Sequence, residues 1–175
     1  MTNFRMILKK QSGFSFMEAL VSIFIFAVGI TAVFSLLQNT LSYNSQNAYR
    51  LTGAYLAQEG IEIVRGIRDN NWLAARSDPL IKWDDGINGV READYLSTVL
   101  DASAGRNLKI GNGYYNYTVG TDTTFTREIT IFGEADLTVP PDGENDTLKV
   151  SVLVTWVFKG KEYSIQAQEN LYNWQ

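Results

Sequence analysis

Side chains that usually carry chemistry are scarce in this sequence, and the scarcity narrows what it can do. None of its 175 residues is His or Cys. That removes the commonest general base, the Ser-His-Asp triad, Cys nucleophiles, thiolate metal sites and disulfides. The remaining carboxylates are scattered over turn-like segments with no nucleophile beside a base, so an enzyme is not expected. Two groupings stand out. Glu18 is the one ionisable residue in the 24-residue apolar run from Phe14 to Leu37, where an unpartnered acid costs about 3 kcal/mol and usually has a partner. Asp142, Glu144 and Asp146 flank Gly143 in a polar stretch after Pro140-Pro141. Alternate carboxylates can ligate Ca²⁺, but this spacing lacks the twelve-residue loop and terminal bidentate Glu of an EF-hand, and a solvated turn is the stronger reading. No cofactor is implied.

The elements that position these residues begin with the apolar run. As a helix it spans about 36 Å against a hydrocarbon core of about 30 Å. Arg5, Lys9 and Lys10 precede it without any acid, and the first charge after it is Arg50. That asymmetry places the N-terminus in the cytoplasm and the rest outside. The remainder has a globular composition, with 45% hydrophobic and 19% charged residues over the whole chain. A net charge of −4 and the lack of a basic cluster argue against nucleic acid as a partner.

Three readings compete for the N-terminal segment. A secretory signal has an apolar region of about 7–15 residues followed by a small-x-small site; this run is too long, and Ser35-Leu36-Leu37-Gln38-Asn39-Thr40 offers no such site. A plain membrane anchor explains length and flanking charge, but neither Glu18 nor Gly13 at the junction of the basic and apolar parts. The stretch Lys9-Lys10-Gln11-Ser12-Gly13-Phe14-Ser15-Phe16-Met17-Glu18 resembles the class III signal of type IV prepilins and pseudopilins. The resemblance implies cleavage by prepilin peptidase between Gly13 and Phe14, N-methylation at Phe14, and an assembly role for Glu18, the fifth mature residue. Gly13 has no side chain to block an extended path through a protease cleft. A new amine at Phe14 and the Glu18 carboxylate attract strongly at low dielectric. They pair between neighbouring subunits or within one; the sequence leaves both open. Cleavage removes three cations and leaves 12 against 19 acids, a side-chain sum of −7.

Helix formers continue to Arg68 without a proline, which predicts one helix from Phe14 to about Arg68, about 80 Å long. Leu56, Gly60, Ile63, Val64 and Ile67 fall on one face and predict packing on a core. Glu59, Glu62, Arg65 and Asp69 fall largely on the other, with Glu62 and Arg65 spaced as an i,i+3 pair. Gly29, Gly53, Gly60 and Gly66 each weaken the helix by roughly 1 kcal/mol, with Gly29 marking a bend or a close helix contact. Ala54-Tyr55-Leu56-Ala57 with Glu62 and Arg65 resembles the A-x-L-A-x-x-x-x-E-x-x-R stretch of PilV-like minor pilins and type II secretion I-like pseudopilins.

From Trp72 to Gly113 turn chemistry dominates, as in Asp84-Asp85-Gly86, Asn88-Gly89 and Gly111-Asn112-Gly113. Ala93–Leu100 reads as a short helix or strand. Tyr114–Val119 and Thr123–Phe132 read as strands. Leu148, Val150, Val152, Val154, Trp156 and Phe158 alternate with Lys149, Ser151, Leu153, Thr155 and Val157, then turn at Lys159-Gly160 into Tyr163, Ile165 and Ala167. Period two predicts one face packed on the helix stripe. Asn116 and Asn145 fit glycosylation sequons, a weak signal.

The expected fold is α+β and pilin-like, a long N-terminal α-helix with a transmembrane N-terminal half, packed on a C-terminal antiparallel β-sheet. The expected divisions are 1–13 leader, 14–37 membrane or filament-core helix, 38–70 amphipathic continuation, 71–113 variable αβ-loop region between helix and sheet, and 114–175 antiparallel sheet. The resemblance implies a structural subunit, a minor pilin, of a type IV pilus or related filament. The alternatives are a pseudopilin of a type II secretion system and a membrane-anchored binding module that never polymerises. Implied partners are prepilin peptidase/N-methyltransferase, other pilin subunits, an inner-membrane assembly platform and the lipid bilayer. The implied location is the cytoplasmic membrane, then an extracytoplasmic or cell-surface filament.

Overall fold

One helix, α1, runs from Phe16 to Ala75 in a computed structural model that describes residues 13, 15–102, 105–134 and 145–173. It is unbroken at Gly29 and continues past the expected end at Arg68. The chain packs as two units, residues 1–45 and 46–175.

In the first unit the helix buries nothing. Phe24, Ile25 and Phe26 are 69%, 63% and 71% exposed, and successive helical residues point to different sides. The hydroxyls of Ser22, Thr31, Thr40 and Ser45 each donate to a carbonyl one turn back, at 2.7–3.1 Å. Polar side chains that satisfy themselves against their own helix suit a solvent that offers no partners.

The second unit is built on a seven-stranded antiparallel sheet. Its strands are β1 (Gly89–Glu92), β2 (Asp101–Ala102), β3 (Asn107–Gly111), β4 (Tyr114–Asn116), β5 (Thr121–Glu134), β6 (Thr147–Phe158) and β7 (Lys161–Tyr172). β5 is the spine. Along one edge it pairs continuously with β6, from Phe125 opposite Trp156 to Glu134 opposite Thr147. Along the other it pairs with β1 around Val90–Thr130 and with β3 around Lys109–Asp122. β6 and β7 form the expected hairpin. Lys159 and Gly160 both have positive φ, 51° and 76°, the two-residue turn whose twist matches the strands.

The expected alternation is present. Leu148, Val150, Val152, Val154 and Trp156 are buried and form one core with Leu56, Ala57, Ile61, Val64 and Ile67 of α1. Two helix glycines take their place from this contact. A Cβ on Gly60 would lie 2.8 Å from Val152 Cγ1 and 3.3 Å from Arg127 Cδ, and one on Gly53 would lie 2.8 Å from the Trp156 ring. The intrinsic cost of these glycines to the helix is offset by close approach to the sheet. Gly66 has no such neighbour.

Arg127 occupies a core-facing position of β5 between Phe125 and Ile129, and its side chain is fully buried. Nη1 donates to Leu56 O at 3.1 Å and to Glu59 Oε2 at 3.0 Å, and Nη2 donates to Ala93 O. Glu59 therefore turns toward the sheet and not, as its helical position suggests, to solvent. Arg65 makes the expected pair with Glu62 at 2.6 Å and also reaches Glu169 of β7 at 2.5 Å. These carboxylates hold the Arg65 guanidinium above its ordinary pKa, Glu169 first. The Tyr117 hydroxyl donates to Arg127 O at 3.3 Å, and burial pushes its pKa up to about 12.

Three expectations about the sheet are corrected. Residues 71–113 are not a loop region throughout, because they supply β1, β2 and β3. Ala93–Leu100 is neither helix nor strand. The Asp94 carboxylate caps a turn there, accepting from Leu96 N and Ser97 Oγ and, across the fold, from Tyr117 N. The expected strand Tyr114–Val119 stops at Asn116, whose Oδ1 accepts from Thr118 N and Val119 N and so turns the chain.

Two pairs of variants test this packing by thermal unfolding of the detergent-extracted chain. Gly60→Ala overpacks the helix–sheet contact and costs about 1–3 kcal/mol, whereas Gly66→Ala, in open space, stabilises by about 0.5–1 kcal/mol. Glu59→Ala leaves a buried guanidinium without its counter-charge and costs about 3 kcal/mol. Arg127→Met removes the buried charge itself and costs less. Equal losses for the members of either pair would contradict the arrangement.

Candidate functional site

The helix start decides what Glu18 can do. Ser15 precedes α1, and its carbonyl accepts from Glu18 N at 3.0 Å and Ala19 N at 3.1 Å. Glu18 therefore stands in the first turn, where the unpaired N–H groups and the positive end of the helix dipole favour an anion. Ser15 and Glu18 have the S-x-x-E spacing of a capping box. Sequence reading passed over that signal because the same residues also belong to the prepilin-like stretch. Glu18 is exposed, and Ser22 Oγ donates to its carbonyl at 2.7 Å. Among the described residues no side-chain partner holds its carboxylate.

Gly13 lies outside any helix or strand, is exposed, and has nothing within 4 Å of where a Cβ would stand. An exposed glycine outside regular structure, just before a helix, is accessible backbone. Phe14 lies outside the described residues. Gly13 and Glu18 thus stand at the start of an apolar helix none of whose first thirty residues is buried.

The other sequence candidates come apart. Asp142 and Glu144 lie outside the described residues. Asp146 precedes β6, and its carbonyl accepts from Asn173 N at 2.8 Å, a role in closing the sheet end. Asn116 is buried and its Oδ1 shapes the turn after β4. Asn145 donates to Asp84 at 2.9 Å, and its carbonyl accepts from Trp83 Nε1 at 3.1 Å. Both asparagines have structural work of their own. Tyr115 packs against the core, while Tyr114 is exposed and stacks on Tyr95, centroids 4.8 Å apart. Sequence reading missed the fully buried Glu92 carboxylate. It accepts from Arg106 N at 2.9 Å and Arg106 Nε at 2.7 Å, and it raises the Arg106 pKa. The pair ties β1 to the segment entering β3.

No curated protein and no solved structure matches this chain. The family model for the prokaryotic N-terminal methylation motif matches residues 8–34. That stretch takes in Gly13, Phe14, Glu18 and the exposed apolar helix, and it is the prepilin-type signal of type IV pilins; it supports a membrane-anchored, type IV pilin-like or pseudopilin protein.

Proposed function

We propose that this chain is a structural subunit, a minor pilin, of a type IV pilus or related filament. Prepilin peptidase cuts after Gly13 and the same enzyme methylates the new amine of Phe14. The processed chain of 162 residues stays in the cytoplasmic membrane by its helix, with the second unit on the outer side, until an assembly platform draws it into a filament with other pilin subunits. Glu18 then meets the Phe14 amine of a neighbour. The observation that carries this reading is the conjunction of the methylation motif at residues 8–34 with a helix whose apolar N-terminal stretch is unburied. Such a surface needs lipid before assembly and other helices after it. A first-turn acid without a side-chain partner among the described residues supplies the counter-charge that assembly uses.

The intact mass of the membrane-extracted protein tests the processing step. The expected chain begins at Phe14 and carries one methyl group. A mass that still includes Met1–Gly13, from cells with active prepilin peptidase, refutes it. Glu18→Ala tests the assembly step separately. The variant is expected to be processed and to remain in the membrane while its content in sheared filaments falls at least about tenfold, the loss of one charge-assisted contact at low dielectric. Incorporation at the wild-type level would leave the carboxylate without an assembly role. Loss of surface fibres on deletion supports a pilus, and loss of enzyme secretion with fibres intact supports the type II secretion alternative.

A further inference from the structure

The second unit opens with a recess that is rich in hydrogen-bond donors. Gln46, Asn47 and Arg50 of α1 line it with Trp156, Tyr163 and Ser164, around a volume of about 250 Å³. The helix residues are spaced i, i+1 and i+4, so they share one side of the helix. The lining offers a guanidinium, two amides, a phenol, a hydroxyl and an indole, and no carboxylate. Trp156 Nε1 is buried and has no hydrogen-bond partner. Lys161 Nζ stands 5.5 Å from the centroid of the Tyr163 ring, a second cation beside the recess.

Arg50 differs from the arginines that build the head. Arg65, Arg68, Arg106 and Arg127 all make ion pairs. Arg50 is exposed, and among the described residues it makes neither an ion pair nor a hydrogen bond. Cations and neutral donors converging without an acid select an anion, and a planar guanidinium fits the oxygens of a phosphate.

Charge spacing along the helix identifies the source of that phosphate. Between Glu18 and Arg50 lie 31 residues without an Asp, Glu, Lys or Arg, Ala19–Tyr49. As a helix they rise about 46 Å, close to the thickness of a bilayer with its headgroups, about 40–45 Å. Arg50 is thus the charge that closes the span, and Tyr43 and Tyr49 just before it are the residue type enriched at such interfaces. Helical side chains lean toward the N-terminus, so Arg50 leans toward the span. We propose that this recess binds the phosphate of an anionic phospholipid headgroup while the subunit waits in the membrane. The inference rests on the membrane-anchored reading given above.

The test uses the full chain in a nonionic detergent. Native mass spectrometry follows its adducts with phosphatidylglycerol, with phosphatidylcholine and with inorganic phosphate. Wild type is expected to prefer phosphatidylglycerol over phosphatidylcholine. Arg50→Gln should weaken that lipid roughly tenfold, as loss of a charged hydrogen bond does, and Arg50→Lys should recover part of it. Asn47→Asp, which puts a carboxylate into the recess, should also weaken it. Unchanged thermal unfolding of these variants shows that the fold is intact. An Arg50→Gln chain that keeps the wild-type lipid preference overturns the proposal. So does Arg50-dependent uptake of inorganic phosphate equal to that of the lipid, which assigns the recess to a free anion. Loss of contact with other subunits at unchanged lipid preference overturns it too, in favour of a protein carboxylate. Carbonate extraction of the membranes reports on the anchor alone: release of the wild-type chain would refute the anchored reading, whatever the adducts show.

Discussion

A guanidinium sealed beneath the helix fixes how the second unit is assembled. Arg127 lies in the core stripe of β5 and is cut off from water, so every donor it satisfies must find a protein acceptor. The acceptors come from separate parts of the chain: Leu56 O and Glu59 on α1, and Ala93 O after β1. Helix, central strand and loop are therefore held to one another at one point. Gly60 follows from that requirement, because the Arg127 stem and Val152 occupy the space a side chain would need. A helix shifted by one turn would present Val64 to the same space and would break the contacts at Leu56 and Glu59. Apolar packing tolerates small slips along a ridge, whereas a buried charge with directed hydrogen bonds does not.

The same logic repeats on a smaller scale across the short strands. Glu92 is buried and takes two hydrogen bonds from Arg106, Ala93 takes one from Arg127, and Asp94 takes one from Tyr117 N. Three consecutive residues thus tie β1 to the entry of β3, to the exit of β4 and to the spine of the sheet. Arg106 lies over the Tyr117 ring, 4.6 Å from its centroid, and Tyr117 in turn bonds to Arg127 O. A chain without cysteine cannot close these loops covalently, and the buried polar ties perform that task.

How much of this the sequence disclosed depends on the range of the signal. The helix and the β6–β7 hairpin were legible because Leu56–Ile67 and Leu148–Phe158 carry a full period over many residues. The short strands were not. β1, β2 and β3 have four, two and five residues, too few for alternation to exceed chance; β5 is long enough to offer β1 and β3 an edge, and β2 pairs on β1. Arg127 was visible only as the one charge in the apolar positions Phe125, Ile129 and Ile131. Its partner Glu59 sits at the border of the helix stripe, where position does not decide which way a side chain turns. The methylation motif at residues 8–34 was legible because its signal is local: a residue without a side chain at a charge boundary, and an acid in an apolar run.

The two units place opposite demands on the same helix. From Gln46 onward Gly53, Gly60 and Glu59 are fitted to a sheet that the chain itself supplies. Before that point none of its described side chains is buried, so their free energy depends on the surroundings, first lipid and then other helices in the proposed filament. Moving between those surroundings changes little for an apolar side chain, because neither is water. It changes much for a charge. Glu18 sits in the one turn of the helix where free N–H groups and the dipole already favour a carboxylate. The acid is thereby tolerable in a solitary subunit without a side-chain partner. It remains available, and in the proposed assembly the contact with an incoming amine is the step at which the two surroundings differ most in energy.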